Sequence, residues 1–240
     1  VAIHALFVGC DYQGESCQLP DCALDARHMA EALEPHLASG RLLTNEHAER
    51  QHILDAIAEL KAKAKKTDVV ILYYSGHGTY DTLKGKRVQG IVPNDLQVIY
   101  EVELRQQLAD FGQAIYIADS CFSGGLSRGK RKSRFTPIRN CFTRAIDLPA
   151  KTPKRPHVVY SACRDNETAA STGEGGAFTN ALREVFADHP DRLTFKGLFR
   201  GVRKLLPNAD YNQTPQLFYS DEKFISRTLA SFTKNWNRRI

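Results

Sequence analysis

The sequence predicts an α/β fold: a mostly parallel central sheet of about six strands with helices on both faces. Three observations carry this reading. Apolar runs without polar alternation stand at residues 69–74 and 114–118, the mark of strands buried on both faces. Segments of helical periodicity alternate with such runs along the chain, the order of βαβ units. The chain has 240 residues, 42% hydrophobic and 25% charged. That suits one large domain able to bury a core without disulfides or metal.

In chain order, residues 3–9 (IHALFVG) read as a strand ended by glycine. Residues 24–37 read as a helix, with Leu24, Ala26, Met29, Ala30, Leu33 and Leu37 close to 3.6 spacing. A short strand is expected at 41–44 and a helix at 48–65. In that helix Ile53, Ile57, Leu60 and Ala64 form a stripe, and lysines gather at the C-terminal end, where cations suit the dipole. Residues 69–75 (VVILYYS) form the next strand, followed at once by Gly76, His77 and Gly78. A short strand at 90–92, a helix at 101–109 and a strand at 114–119 (AIYIAD) come next, and Ser120, Cys121 and a Ser-Gly-Gly turn follow. Beyond them a strand is expected at 157–162, helices at 178–186 and 195–206, and a short strand at 216–219. Residues 221–240 are expected to be a C-terminal extension, an edge helix or a tail.

Charge is concentrated in one place. The net charge is +6. Between residues 127 and 155 stand ten basic residues (Arg128, Lys130, Arg131, Lys132, Arg134, Arg139, Arg144, Lys151, Lys154 and Arg155) and one acid, Asp147. The remainder of the chain is therefore mildly acidic, and a nucleic-acid reading of the whole protein loses its support. No apolar run approaches the roughly 20 residues that span a bilayer, so no membrane association is expected. The first residues lack the basic and apolar regions of a secretory signal. The six cysteines match no common zinc spacing. Reduced thiols in a cytoplasmic setting, without a metal, are the expectation. His47 and His52 lack the Glu of a metalloprotease motif, His4 and His28 read as packing residues, and the chain has no phosphate-binding loop.

In an open parallel sheet, ligands bind outside the carboxyl ends of the strands. His77 and Cys121 each follow such an end. If the two strands are neighbours, an imidazole and a thiol come together, and a thiolate paired with His is a nucleophile. The backbone N–H groups of Gly78 and Cys121 are natural oxyanion donors. Taken singly, a His in a turn and a buried Cys are ordinary packing residues. The pair at two strand ends is what carries the chemistry.

These residues also carry a resemblance. Residues 73–78 (YYSGHG) and 118–125 (ADSCFSGG) resemble the His and Cys motifs of caspase-like cysteine peptidases, in the metacaspase and orthocaspase branch. Residues 19–26 (LPDCALDA), 160–169 (YSACRDNETA) and 176–182 (GAFTNAL) extend it in the right order, so that it covers residues 1 to about 220. The resemblance implies a caspase-like α/β/α sandwich. It implies one catalytic domain over 1–220, divided into a large-subunit-like part (1–126), a basic flexible linker (127–156) and a small-subunit-like part (157–220). It implies His77 as base and Cys121 as nucleophile, a dyad with no obligatory third member. Asp25 and Asp119 match the acids of a primary specificity pocket that takes Arg or Lys before the scissile bond, and Cys22 matches a cysteine of that pocket.

The residues support the basic preference in their own right. Asp119 ends an apolar strand two residues before Cys121, and i, i+2 side chains share a strand face. Asp25 would face the same cavity, with Cys22 one helical turn away. Two semi-buried carboxylates are costly until a cation completes them, and a guanidinium forks onto carboxylates better than an ammonium does. The plainer alternatives are a helix N-terminal acid for Asp25 and a turn-forming Asp for Asp119. Ser161 and Asp165 are candidate substrate contacts. An enzyme of this preference carries its own targets in the linker, so self-cleavage is expected at Arg128, Lys130, Arg131, Lys132 or Arg134, with residues 139–155 (Arg139 and Arg144 among them) as secondary choices. The alternative is a solvated charge run. Many metacaspases bind calcium through acids after the His motif. Here residues 85–95 offer only Asp95, with Gln89 and Asn94 where acids would stand, so no cofactor is expected and calcium is expected to be dispensable. Leu24 before Asp25 departs from the Asn usual in the family. Expected partners are protein or peptide substrates with Arg or Lys at P1, with room for a regulatory protein. The rival reading is a non-catalytic caspase-like scaffold or adaptor that binds partner proteins.

Overall fold

The structure, a computed structural model, describes residues 1–83, 86–120, 158–164, 167, 169–188, 193–228 and 231, with backbone alone at 81–83 and 86–87. Its elements are β1 (Ile3–Gly9), α1 (Cys22–Leu33), β2 (Ser39–Thr44), α2 (Arg50–Lys63), β3 (Val69–Ser75), β4 (Gly78–Leu83), β5 (Lys86–Ile91), β6 (Ile99–Tyr100), α3 (Glu101–Ala109), β7 (Gln113–Asp119), β8 (Val158–Ser161), α4 (Ala177–Asp188), α5 (Phe195–Leu205), β9 (Gln216–Tyr219) and α6 (Glu222–Ile225). The main sheet has six strands in the order β2-β1-β3-β7-β8-β9. The first five run parallel and β9 closes the edge antiparallel.

Period-2 geometry sends alternate side chains of each strand to opposite layers. On β3, Val69, Ile71 and Tyr73 join Ala26 and Met29 of α1, Phe178 and Leu182 of α4, and Phe195 and Val202 of α5. Val70, Leu72 and Tyr74 join Ile53 and Ile57 of α2 and Leu104 and Leu108 of α3 on the other face. This two-sided burial is why β3 and β7 read as continuous apolar runs. Each such side chain contributes roughly 1.5–3 kcal/mol relative to exposure. Among the described residues, no helix is long and apolar enough to cross a membrane.

Four departures from the sequence reading have identifiable causes. Helix α1 begins at Cys22 rather than 24, because the Asp11 carboxylate, from the loop after β1, accepts the Ala23 N–H at 2.9 Å. It stops at Leu33 instead of running to 37, where Pro35 enters a 3₁₀ turn at Glu34–His36. Helix α2 begins at Arg50, whose N–H is accepted by Asp95 Oδ1 at 3.2 Å. The single strand expected at 90–92 is instead part of a second, antiparallel sheet ordered β4-β5-β6. That small sheet lies outside the main sheet, so its strands carry polar residues and give no apolar run. At the far end, Asp221 Oδ1 accepts the Lys223 and Phe224 N–H groups and caps α6, which puts Phe224 and Ile225 into the core.

The parallel strands all end on one side. Ser75 at the end of β3 is in register with Asp119 at the end of β7 and with Gly9 of β1, and Ala118 is in register with Ser161 of β8. Strands β3 and β7 are direct neighbours, the adjacency that a pairing of His77 with Cys121 would need.

Candidate active site

His77 occupies the step from β3 into β4. It is buried. Its Nε2 lies 2.6 Å from the Cys17 carbonyl oxygen. A carbonyl only accepts, so Nε2 carries the proton and Nδ1 is the basic nitrogen of the neutral ring. Burial pushes the imidazole below its ordinary value, opposed by the Cys17 carbonyl. The Tyr12 ring packs against the imidazole with centroids 4.6 Å apart. Gly78 opens β4. Val92 N–H donates to the His77 carbonyl at 3.0 Å, which makes Gly78 and Ile91 a non-hydrogen-bonded pair of the ladder. In that register the Gly78 N–H points away from β5.

Beside this step, two carboxylates converge. Asp25 sits one turn into α1, where its Oδ2 accepts the Ser75 hydroxyl at 2.9 Å and its Oδ1 the Gly176 N–H at 2.8 Å. Asp119 Oδ2 accepts the Thr179 N–H at 3.1 Å and the Thr179 hydroxyl at 2.6 Å. Gly176 lies between them: a methyl group there would fall onto the Asp119 carboxylate and 3.0 Å from Asp25 Oδ2. Both acids are buried. Burial, reinforced by the charge of Asp119, pushes the Asp25 carboxyl well above the usual carboxylate range. Burial raises Asp119 as well, although the two Thr179 hydrogen bonds hold it back. Two like charges this close resist ionising together until a cation joins them.

Cys22 is buried at the start of α1, and burial pushes its thiol well above the ordinary value. It stands one helical turn before Asp25 on α1. Ser161 is buried at the end of β8, with its hydroxyl donating to the Cys163 carbonyl at 3.1 Å. Cys121, Asp165 and the linker residues Arg128, Lys130, Arg131, Lys132, Arg134, Arg139 and Arg144 lie outside the described residues. Among the described residues, no group of His, Cys, Asp and Glu is gathered to hold a metal ion. Asn94 Oδ1 accepts the Tyr12 N–H at 3.2 Å, and Asp95 caps α2.

The sequence reading did not single out Cys17, Ser75, Thr179 or Tyr12. Cys17 acts through its carbonyl, which leaves no trace in residue type. Ser75 and Thr179 stood inside motifs already quoted, but their partners are distant in sequence. Tyr12 could have been suspected from a polar-edged aromatic just after the first strand.

A main sheet of this order, with a histidine and buried acids at its carboxyl edge, is that of a caspase-type hydrolase. The Caspase domain family model matches residues 2–224, and the chain belongs to that family. It is similar to Metacaspase-9 of Arabidopsis thaliana, 25% identical with 91% of this chain and 94% of that one covered. It is similar also to Metacaspase-2 of Trypanosoma brucei brucei, 25% identical over 95% of this chain and 76% of the relative. Metacaspase-1 of Schizosaccharomyces pombe is 28% identical over 70% of this chain and 53% of its own length. A crystal structure of protein GSU0716 from Geobacter sulfurreducens superposes with a TM-score of 0.73 at 22% identity, covering 96% of this chain and 98% of that one, and shares the fold. At the level of the family, the chain is a cysteine-type peptidase acting on protein or peptide substrates.

Proposed function

We propose that the chain is a cysteine endopeptidase that cleaves after Arg, and less well after Lys, with Cys121 as nucleophile and His77 as base. The observation that carries the preference is the pair of buried carboxylates, Asp25 and Asp119, flanking Gly176 beside the His77 step. Two buried carboxylates facing one glycine favour a cation between them, and a guanidinium meets them in bidentate form. The Cys121 thiol gives its proton to His77 Nδ1 and its sulfur attacks the scissile carbonyl. The oxyanion takes the N–H groups of Gly78 and Cys121. Collapse to a thioester passes the proton to the leaving amine, and water then releases the acid. Self-processing falls in the basic linker, at the candidates within 128–144. Calcium is dispensable in this reading, because residues 85–95 carry a single carboxylate, Asp95, where a calcium site needs several oxygen ligands.

The test is mass spectrometry of the purified protein beside Cys121→Ala, with fluorogenic peptides ending in Arg, Lys or Asp. Linker cutting and Arg-peptide hydrolysis in the native chain alone, undiminished by EDTA, are expected. No hydrolysis of any of the peptides would sink the reading and favour the scaffold.

A further inference from the structure

We infer that Tyr12 and Tyr74 form a hydroxyl clamp on the main chain of His77 and are positioning residues for the reaction proposed above, on which this inference rests. Both side chains are fully buried, and a phenol in an apolar interior needs partners for its hydroxyl. The Tyr12 hydroxyl donates to the Val92 carbonyl at 2.5 Å and accepts the His77 N–H at 2.8 Å. The Tyr74 hydroxyl lies 2.8 Å from both the His77 and the Val92 carbonyl oxygens and accepts the Val92 N–H at 3.3 Å. The two hydroxyls are 3.0 Å apart. The N–H and the C=O of the histidine are thus each gripped by a side chain, one from the loop after β1 and one from β3.

The same loop holds the ring. Tyr12 packs against the imidazole and Cys17 accepts from Nε2, so one segment fixes the orientation, tautomer and main chain of His77 together. Tyr12 itself adopts a left-handed backbone (φ 54), uncommon for an aromatic residue. Its surroundings compel that conformation: Asn94 takes its N–H, and Asp11 is tied to Asn45 and Ala23. Gly76 completes the clamp. A methyl group there would stand 2.6 Å from the Tyr74 hydroxyl and 2.8 Å from that of Tyr12. The glycine before the histidine is therefore what admits both hydroxyls.

Phenylalanine fills the same volume, so Tyr12→Phe and Tyr74→Phe remove the clamp while keeping the packing. Kinetics on an Arg-terminated fluorogenic peptide should show kcat lowered about ten- to a hundredfold in Tyr12→Phe, with KM within about twofold, since only the alignment of the base changes. The double variant should fall well short of the product of the single effects, because the hydroxyls share partners. Proton NMR of the His77 Nε2–H, held on the Cys17 carbonyl, should show the signal moved and exchanging faster in Tyr12→Phe. A Tyr12→Phe chain with unchanged kcat and an unmoved ring signal overturns the inference. If the native chain leaves the Arg peptide intact, the proposed function falls and the NMR signal alone decides: unmoved, it overturns the clamp, and moved, it supports it. Should Tyr12→Phe fail to fold, Tyr74→Phe is read by the same two measurements.

Discussion

Asp25 is held by one hydroxyl and one N–H, and its neighbouring charge is Asp119. Asp25→Asn removes the repulsion and keeps an acceptor for the Gly176 N–H, while the Ser75 hydroxyl turns to accept from the new amide, but it deletes the charge a guanidinium would meet. Arg-peptide kcat/KM should fall at least about a hundredfold, in the range lost when a buried charge pair is broken. Thermal stability should be unchanged or raised, and a melting scan with the peptide assay checks both. The pH dependence follows from the raised values. The folded chain holds protons that the unfolded chain releases, so the burial cost is absent in acid. It grows as pH rises from the ordinary carboxylate range up to about 8. Across that window the melting temperature of Asp25→Asn should gain on that of the native chain. KM for the Arg peptide should fall over the same window, because the cation binds the ionised pair.

The loop after β1 sets both the histidine and the start of α1. Asp11 accepts the Ala23 N–H, and Asn45 Nδ2 donates to its other oxygen at 3.2 Å. Asp11→Ala should cost about 1 kcal/mol, the usual worth of a helix cap, and lower peptide hydrolysis by loosening Tyr12 and Cys17. A denaturant titration beside the kinetics reads both. The same loop shows why some elements were legible in the sequence and others were not. Strands β3 and β7 announce themselves because both faces are buried, and α2 does so through its apolar stripe at helical spacing. The first turn of α1 depends on a carboxylate in the preceding loop, and the support of His77 on groups some sixty residues away. Local periodicity cannot register a carboxylate that reaches over from another loop. The acids of the slot were legible as residue types at a strand end and on a helix, whereas the donors that hold them were not.

The parts of the chain before and after residues 121–157 are knitted together by strand pairing and helix packing. Residues 115–118 pair in parallel with 158–161, and α1 packs on α4. Cutting within residues 128–144 should therefore leave one particle. Size-exclusion chromatography of the processed protein should give a single peak holding both pieces, separable only in denaturant. Elution as two species would show that the paired strands and packed helices do not hold the halves.

Both charges of the slot, Asp25 and Asp119, come early in the chain, and apart from the Ser75 hydroxyl the donors that hold them, Gly176 and Thr179, come late. A polypeptide still emerging from the ribosome exposes its histidine and its cysteine before it owns a finished binding cleft. If that slot is what admits a substrate, proteolytic competence on the ribosome waits for residues 176–179.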